Sequence, residues 1–381
     1  MNIQNNSSTR TSVAIGEPVL RMEDPRLLRG QGRYTDDINL PKQAHAVILR
    51  STHAHGRIKS IDTSAAKAMK GVLAVYTGAD LGAYGSLKSG LPFKSRDGSD
   101  MKKPKRPALP TDKVRFVGDP IACVVAETVA QAKDAAEAIV VDIEPLPVVT
   151  ELSKAESAGA LYDDVPKNVA LDYHYGDTEK VNAAFAAAKH KVKLKMVNSR
   201  TVVASMEPRG CIGEYDKATG RYTFHGGSQG VLGMRAGLMD VLGVPADKVH
   251  VLTGNVGGSF GMKHLFPEYI CVLHAARTLG RPVKWTDERT DSFVSDSHGL
   301  FALSQPCPRC RGNGVIVEKP CRACRGSGDA RQVHAAGPRG GGAGIHQAGH
   351  QAHRNEHRHH HQGEESLDRR DRRPEGRANH Q

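Results

Sequence analysis

The chain has 381 residues, enough for two or three domains that each bury a core. Its net charge is +12, but the 81 residues from Phe301 onward hold 14 Lys and Arg against 8 Asp and Glu, half of the excess. That uneven placement argues against a nucleic-acid surface as the organising feature of the first 300 residues. No run approaches the roughly 18 apolar residues of a membrane span, and the N-terminus, MNIQNNSSTRTS, has neither an apolar core nor twin arginines. Four of the seven cysteines cluster at 307–324, while Cys123, Cys211 and Cys271 lie far apart in apolar or mixed surroundings. This pattern predicts a reducing, cytoplasmic setting with buried thiols plus one metal-type cluster.

In chain order, residues 1–18 are expected to be a disordered lead. "AHAVILRS" (44–51) and "GVLAVYTG" (71–78) are β-branched runs bounded by turn residues and predict strands. From about 85 to 112 the chain turns polar around "MKKPKRP", which predicts a solvated surface loop. "DPIACVVAE", "TVAQAKDAAEA" and "IVVDIEPLPVV" then read as strand, helix and strand, a predicted βαβ unit, with a domain boundary at "EPLPVVTEL".

A helix is expected over 179–188, then a strand with alternation at Val192, Leu194 and Met196. "CIGEYDKATGRYTFHGG" predicts a hairpin turning at Asp216, Lys217 and Gly220. After it come a helix (VLGMRAGLMDVLG), a strand (DKVHVLTG), a helix (PEYICVLHAARTLG) and a strand (RPVKWTD). The fold class up to about residue 300 is therefore α+β. From Arg331 to Gln381 the only Val, Ile, Leu, Met or aromatic residues are Val333, Ile345 and Leu367. So few cannot offset an ordering entropy of about 1–2 kcal/mol per residue, and a disordered tail is expected.

Three stretches could carry chemistry. In "TGNVGGSFGMK" the glycines at 257, 258 and 261 allow positive φ and let backbone N–H groups approach an anionic ligand. The spacing matches neither the phosphate loop nor the dinucleotide fingerprint, and alone it fits a tight structural turn at least as well as a cradle. "HGGSQGVLG" offers Gln229 at a strand end, a side-chain amide able to meet an oxo or carbonyl group or simply to face water. In "SMEPRGCIGEY", Glu207 and Arg209 are expected to form a structural ion pair. No Gly-x-Ser-x-Gly or His-Glu-x-x-His motif occurs, and His45, His53 and His55 read as core or surface histidines.

Several segments occur in one order: "GEPVLRMEDPRLLRGQGRYTDDINLP", "RSTHAHGRIKSIDTSAA", "VRFVGDPIACVVAET", "MEPRGCIGEYDKATGRYT", "SQG" and "VGGSFGMK…PEY…LGRPVKWT". Together, over residues 16–299, they resemble the molybdenum-hydroxylase large subunit of the xanthine dehydrogenase, aldehyde oxidase and carbon monoxide dehydrogenase family. The resemblance implies an α/β hammerhead domain over 19–150 and the first part of a molybdopterin-binding domain over 151–300. It implies molybdopterin, in some members as its cytosine dinucleotide, as cofactor. Gln229 would hydrogen-bond an apical ligand of molybdenum, and Gly257, Gly258, Phe260 and Gly261 would lie against metal and pterin. Ser259 replaces a glycine common in that loop, a change expected to tighten or shift it. The implied activity is hydroxylation of an aldehyde or N-heterocycle carbon with water, electrons passing to separate iron–sulfur and FAD subunits. The match stops after "SDSHG", ahead of the family's catalytic glutamate. None of Glu318, Glu356, Glu364, Glu365 or Glu375 inherits that role, so no catalytic residue is assigned and the chain is expected to be inactive by itself.

The segment "CPRCRGNGVIVEKPCRACRGSG" (307–328) resembles the last two Cys-x-x-Cys-x-Gly-x-Gly repeats of the zinc region of DnaJ-type chaperones. Residues 301–330 would then form a partial zinc segment, with Cys307, Cys310, Cys321 and Cys324 as ligands of one zinc ion, ahead of the tail at 331–381. No His-Pro-Asp motif of a J-domain occurs. The alternatives to the oxidoreductase are thus a zinc-binding module for unfolded protein or a nonfunctional fusion joined near residue 300.

Overall fold

The structure, a computed structural model, describes residues 20–87, 92–194 and 202–296, with the backbone of four short strands between 304 and 331. The expected lead at 1–18, the four clustered cysteines and the tail beyond Arg331 lie outside the described residues.

The first half runs α1 (Asp24–Leu27), β1 (Ala44–Arg50), β2 (Gly56–Asp62), α2 (Ser64–Ala68), β3 (Val72–Thr77), β4 (Lys113–Val114), β5 (Pro120–Ala126), α3 (Val129–Glu137) and β6 (Val140–Pro145). The second half runs α4 (Thr178–Ala187), β7 (Gly210–Asp216), β8 (Arg221–Gly226), α5 (Val231–Leu242), β9 (Val249–Leu252), α6 (Pro267–Leu279), β10 (Val283–Thr286) and α7 (Arg289–Ser295). The fold is α+β, as the sequence predicts.

A seven-stranded sheet in the order β3-β5-β1-β10-β7-β8-β9 organises both halves. It crosses the "EPLPVVTEL" stretch in sequence, since β1 and β10 pair in parallel through Ala44↔Val283 and His45↔Lys284. The interior strand β5 is buried along its whole length, and its side chains divide by the period of two. Cys123 and Val125 enter one core with Tyr269, Val272 and Ala276 of α6. Ala122, Val124 and Ala126 enter the other with Ala132, Ala135 and Ala136 of α3. The small alanine face lets α3 lie close to the sheet, and Thr128 caps it by accepting from the Gln131 N–H at 3.2 Å. Full burial of Val124 and Val125 contributes about 1.5–3 kcal/mol each.

Two expectations need correction. β5, α3 and β6 follow one another as read, but they are not a βαβ unit. β6 belongs to a separate three-stranded sheet, β4-β2-β6, in which it runs antiparallel to β2. The composition explains this: β5 is apolar on both faces and suits the middle of a covered sheet, whereas β6 leaves Val140 and Glu144 exposed. The parallel crossover lies later, where β8 pairs in parallel with β9 and α5 connects them. The second correction concerns the strand expected at Val192, Leu194 and Met196. Residues 191–194 are irregular, with Val192 91% and Leu194 75% exposed, and Met196 lies outside the described residues. Alternation alone makes no strand where no neighbouring strand offers a ladder.

Candidate cofactor site

The β8–α5–β9 crossover decides what can meet. Because β8 and β9 are parallel, the loops leaving Gly226 and Leu252 emerge at one end of the sheet. The first loop carries Gln229 and the second carries Gly257–Gly261, so two motifs some 30 residues apart converge. Crevices beyond the carboxyl ends of parallel strands are where open sheets bind ligands.

The junction is a short ring of hydrogen bonds. Ser259 Oγ donates to Gln229 Oε1 at 2.8 Å, and the Gly261 N–H donates to the same oxygen at 3.1 Å. The Gln229 N–H donates to the Lys263 carbonyl at 3.0 Å, and the Lys263 N–H donates to Ser259 Oγ at 3.1 Å. With its oxygen engaged twice, the Gln229 amide keeps Nε2 as a donor that has no partner among the described residues. The backbone N–H groups of Gly258, Ser259 and Phe260 are likewise without a hydrogen-bond partner among the described residues. Gly258 (φ 98°), Phe260 (φ 49°) and Gly261 (φ 93°) have positive φ, a turn geometry that gathers N–H groups into an anion-binding concavity. Phe260 is 68% exposed in a left-handed conformation that phenylalanine seldom takes.

Behind the loop lies a bracing carboxylate. Glu207 Oε2 accepts from the Gly257 N–H at 2.8 Å and from Lys263 Nζ at 2.6 Å, while Oε1 accepts from the Thr35 N–H at 3.2 Å. The Glu207 N–H returns a bond to the Gly257 carbonyl at 3.1 Å. A Cβ on Gly257 would stand 2.5 Å from Glu207 Cβ, so the approach needs glycine. Burial lowers the Lys263 pKa, and the Glu207 carboxylate beside it works the other way. The expected Glu207–Arg209 pair does not form, because adjacent residues around Pro208 face different partners. The missed residue is Lys263; a lysine two positions beyond the last loop glycine is the signal that pointed to it.

Arg209 instead anchors a buried ionic cluster. Its Nε donates to Asp296 at 2.8 Å, Nη1 to Glu268 at 3.1 Å and Nη2 to Asp287 at 3.1 Å. Arg50 closes the cluster through Glu268 at 2.8 Å and Asp287 at 3.2 Å. The guanidinium of Arg209 also lies over the Phe266 ring at 4.1 Å. Burial pushes Glu268 up, but Arg209 and Arg50 outweigh it and bring its pKa to about 2. For Asp287, burial prevails over the same two arginines and raises the pKa to about 6.

Gln229, Gly257, Gly258, Phe260 and Gly261 thus stand at one place, whereas Cys307, Cys310, Cys321 and Cys324 lie outside the described residues. Among the described residues no group of three or more His, Cys, Asp or Glu could hold a metal ion. The open donors and the glycine approach fit a flat ligand with an oxo or anionic edge. A cleft of about 500 Å³, lined by Arg26, Arg33, Thr35, His225, Thr253 and Asn255 among others, opens at the same strand ends.

Known proteins are similar to this chain over most of the described residues. Residues 29–147 match the family "Aldehyde oxidase and xanthine dehydrogenase, a/b hammerhead domain", and residues 161–303 match "Molybdopterin cofactor-binding domain". The nicotine 6-hydroxylase large subunit of Paenarthrobacter nicotinovorans is 36% identical over 293 residues, covering 76% of this chain and 35% of the relative. The carbon monoxide dehydrogenase large chain of Afipia carboxidovorans is 35% identical, covering 74% and 36%. Among solved structures, quinoline 2-oxidoreductase from Pseudomonas putida 86 superposes with a TM-score of 0.63 at 34% identity, over 74% of this chain and 35% of that one. The chain spans about a third of the length of these relatives. The chain thus carries an a/b hammerhead domain followed by a molybdopterin cofactor-binding domain.

Proposed function

We propose that the protein is a molybdopterin-dependent oxidoreductase subunit that hydroxylates an aldehyde or N-heterocycle carbon with water as oxygen source. The observation that carries this reading is the convergence of Gln229 and the 257–261 loop, with donors left open on both. When bound, the cofactor would supply the two-electron chemistry at the substrate carbon. The Gln229 Nε2–H would donate to an oxo-type acceptor on it, and the Gly258, Ser259 and Phe260 N–H groups would line its anionic edge. The exposed Phe260 ring would pack on its face and exclude water. The cytosine dinucleotide form of the cofactor rests on the resemblance alone.

No general base is assigned. Glu207, the carboxylate bonded to the loop, is committed to Lys263 and Gly257 and cannot take a proton from the reacting centre. The chain alone is accordingly proposed to bind cofactor without turnover. Electrons would leave to iron–sulfur and FAD subunits. Burial holds the Cys211 thiol well above its ordinary pKa, and Cys271 is raised likewise by its contact with Cys123 and by burial, so neither offers a thiolate to a cluster. One relative is the gamma subunit of a 6-hydroxypseudooxynicotine dehydrogenase complex, in keeping with such partners. No helix among the described residues is long and apolar enough to cross a membrane; the three free buried cysteines favour a reducing, cytoplasmic setting.

The test is production in a host that makes molybdopterin, followed by metal analysis, release of the fluorescent oxidised pterin, and dye reduction with an aldehyde or an N-heterocycle. Molybdenum and pterin together, with no dye reduction by the chain alone, is the expected result. Absence of pterin would defeat the cofactor assignment, and dye reduction would defeat the account of the missing base.

A second reading concerns the cysteine segment. Ser304–Pro306 pairs antiparallel with Asp329–Arg331, and Val315–Ile316 with Lys319–Pro320. These ladders bring together the ends of the segment that contains both Cys-x-x-Cys pairs. On this ground we propose a separate site in which Cys307, Cys310, Cys321 and Cys324 hold one zinc ion, with no part in the oxidoreductase chemistry. Cys321→Ser should abolish stoichiometric zinc and leave the melting of the first 300 residues unchanged; a shift in that melting would contradict separateness.

A further inference from the structure

Glu207 and Lys263 bury opposite charges directly behind the cofactor loop, with side chains only 12% and 1% exposed. Desolvating such a pair costs several kcal/mol per ion, and well-packed apolar replacements are often neutral or stabilising. Stability alone therefore does not account for it. What the pair does is grip particular atoms. Glu207 satisfies both polar backbone groups of Gly257, the N–H through Oε2 and the carbonyl through its own N–H. The same carboxylate oxygen holds Lys263 Nζ. The loop is thus tied at residue 257 and at residue 263 to one side chain.

Between those two ties stand the three positive-φ residues, Gly258, Phe260 and Gly261. A phenylalanine in the left-handed region is strained and persists only where its surroundings impose it. Lys263 also joins the Gln229 ring through its carbonyl and its N–H. We propose that Glu207 and Lys263 are a positioning pair: by clamping the loop at both ends they hold Phe260 in its strained conformation and fix the Gln229 amide with Nε2 outward. The proposal deepens the reading of this loop as the cofactor cradle and rests on it. Without the clamp the loop relaxes, the Ser259 and Gly261 bonds to Gln229 Oε1 loosen, and the amide is free to turn over. The ligand would then meet an oxygen as often as an N–H.

The test uses the full chain without cofactor. Amide hydrogen exchange is followed at Gly261 and at Val124 of β5, together with the Gln229 side-chain amide resonances, in Glu207→Gln, in Lys263→Met and in the double variant. Each single variant leaves a buried charge unpaired and should lower the melting temperature; the double variant leaves none and should recover most of it. In all three, Gly261 exchange should rise by at least about tenfold and the Gln229 signals should shift, with Val124 in the double variant within about twofold of the parent. Should the double variant regain stability and Gly261 protection together, or should Gly261 and Val124 accelerate by one factor, the pair is merely structural and the proposal is overturned. If the single variants fail to fold, the double variant alone decides. Because no cofactor is present, this outcome is independent of whether pterin loads, so the two readings fail separately.

Discussion

The molecule holds two polar clusters on either side of residue 208, and they differ in what they leave open. Around Arg209 every charged group is buried or nearly so and finds an opposite partner: Glu268, Asp287 and Asp296 meet Arg209, and Arg50 meets the first two again. Around Gln229 only the rear is closed. Glu207 and Lys263 are satisfied there, while the Gln229 Nε2 group and the Gly258, Ser259 and Phe260 N–H groups have no partners among the described residues and the Phe260 ring is exposed. Charge concentration alone would have nominated the first cluster as the functional one. Satisfaction is the better criterion, because a site must keep valences free for its ligand, whereas a structural network uses them all.

That contrast can be broken first at its structural half. Arg209→Met would leave Glu268, Asp287 and Asp296 buried short of a cation and should cost about 3–5 kcal/mol, read from urea unfolding. A loss below about 1 kcal/mol would show that the cluster is not what joins β7, α6 and β10.

The pH dependence of stability comes next. Glu268 has a depressed pKa of about 2, so its contribution is present above the ordinary 4.5 and is lost as pH falls toward 2. Asp287 and Asp119 are raised by burial to about 6 from 3.8, so theirs is full below 3.8 and is lost as pH rises through 6. Taken together these groups predict a urea midpoint that climbs from pH 2 to about 4 and declines from there to above 6. Asp287→Asn should flatten the decline. A midpoint that climbs steadily from pH 4 to 7 would contradict the assignment.

The open cluster should respond more gently. Gly257→Ala forces a methyl against Glu207 Cβ and should cost about 1–3 kcal/mol, with amide protection lost in 257–261 and kept in β5. Smallest is Ser259→Gly, which removes one donor to Gln229 Oε1. Stability should change by less than about 1 kcal/mol, yet the Gln229 side-chain resonances should move. If they stay in place, Ser259 does not orient the amide.

Much of this was legible in the sequence, and the exceptions share a cause. Runs such as PIACVVA and PEYICVLHAARTL state their own secondary structure through composition and period, and β5 and α6 form where those patterns lie. Gln229 and the glycine loop stood out as motifs, an amide at a strand end and glycines that allow positive φ, but alone each fitted a water-facing loop or a tight turn as well, and only the family resemblance gave them a role. Partner choice is not local. Nothing in "MEPR" states that Glu207 will turn to Lys263, 56 residues on, while Arg209 turns to Glu268 and Asp296. Sheet membership is equally nonlocal, which is why β5-α3-β6 looked like a crossover and β8-α5-β9 turned out to be one.

The central claim is that the outward donors at Gln229 and Gly258–Phe260 receive molybdopterin. Its most direct measurement is titration of the isotopically labelled chain with molybdopterin, following backbone and side-chain amide shifts. The account predicts the largest changes at Gln229 Nε2 and at the Gly258, Ser259 and Phe260 amides, none at Val124, and loss of the response in Gln229→Ala. Changes centred on the Arg26–Arg33 cleft, or no change at the loop, would contradict it.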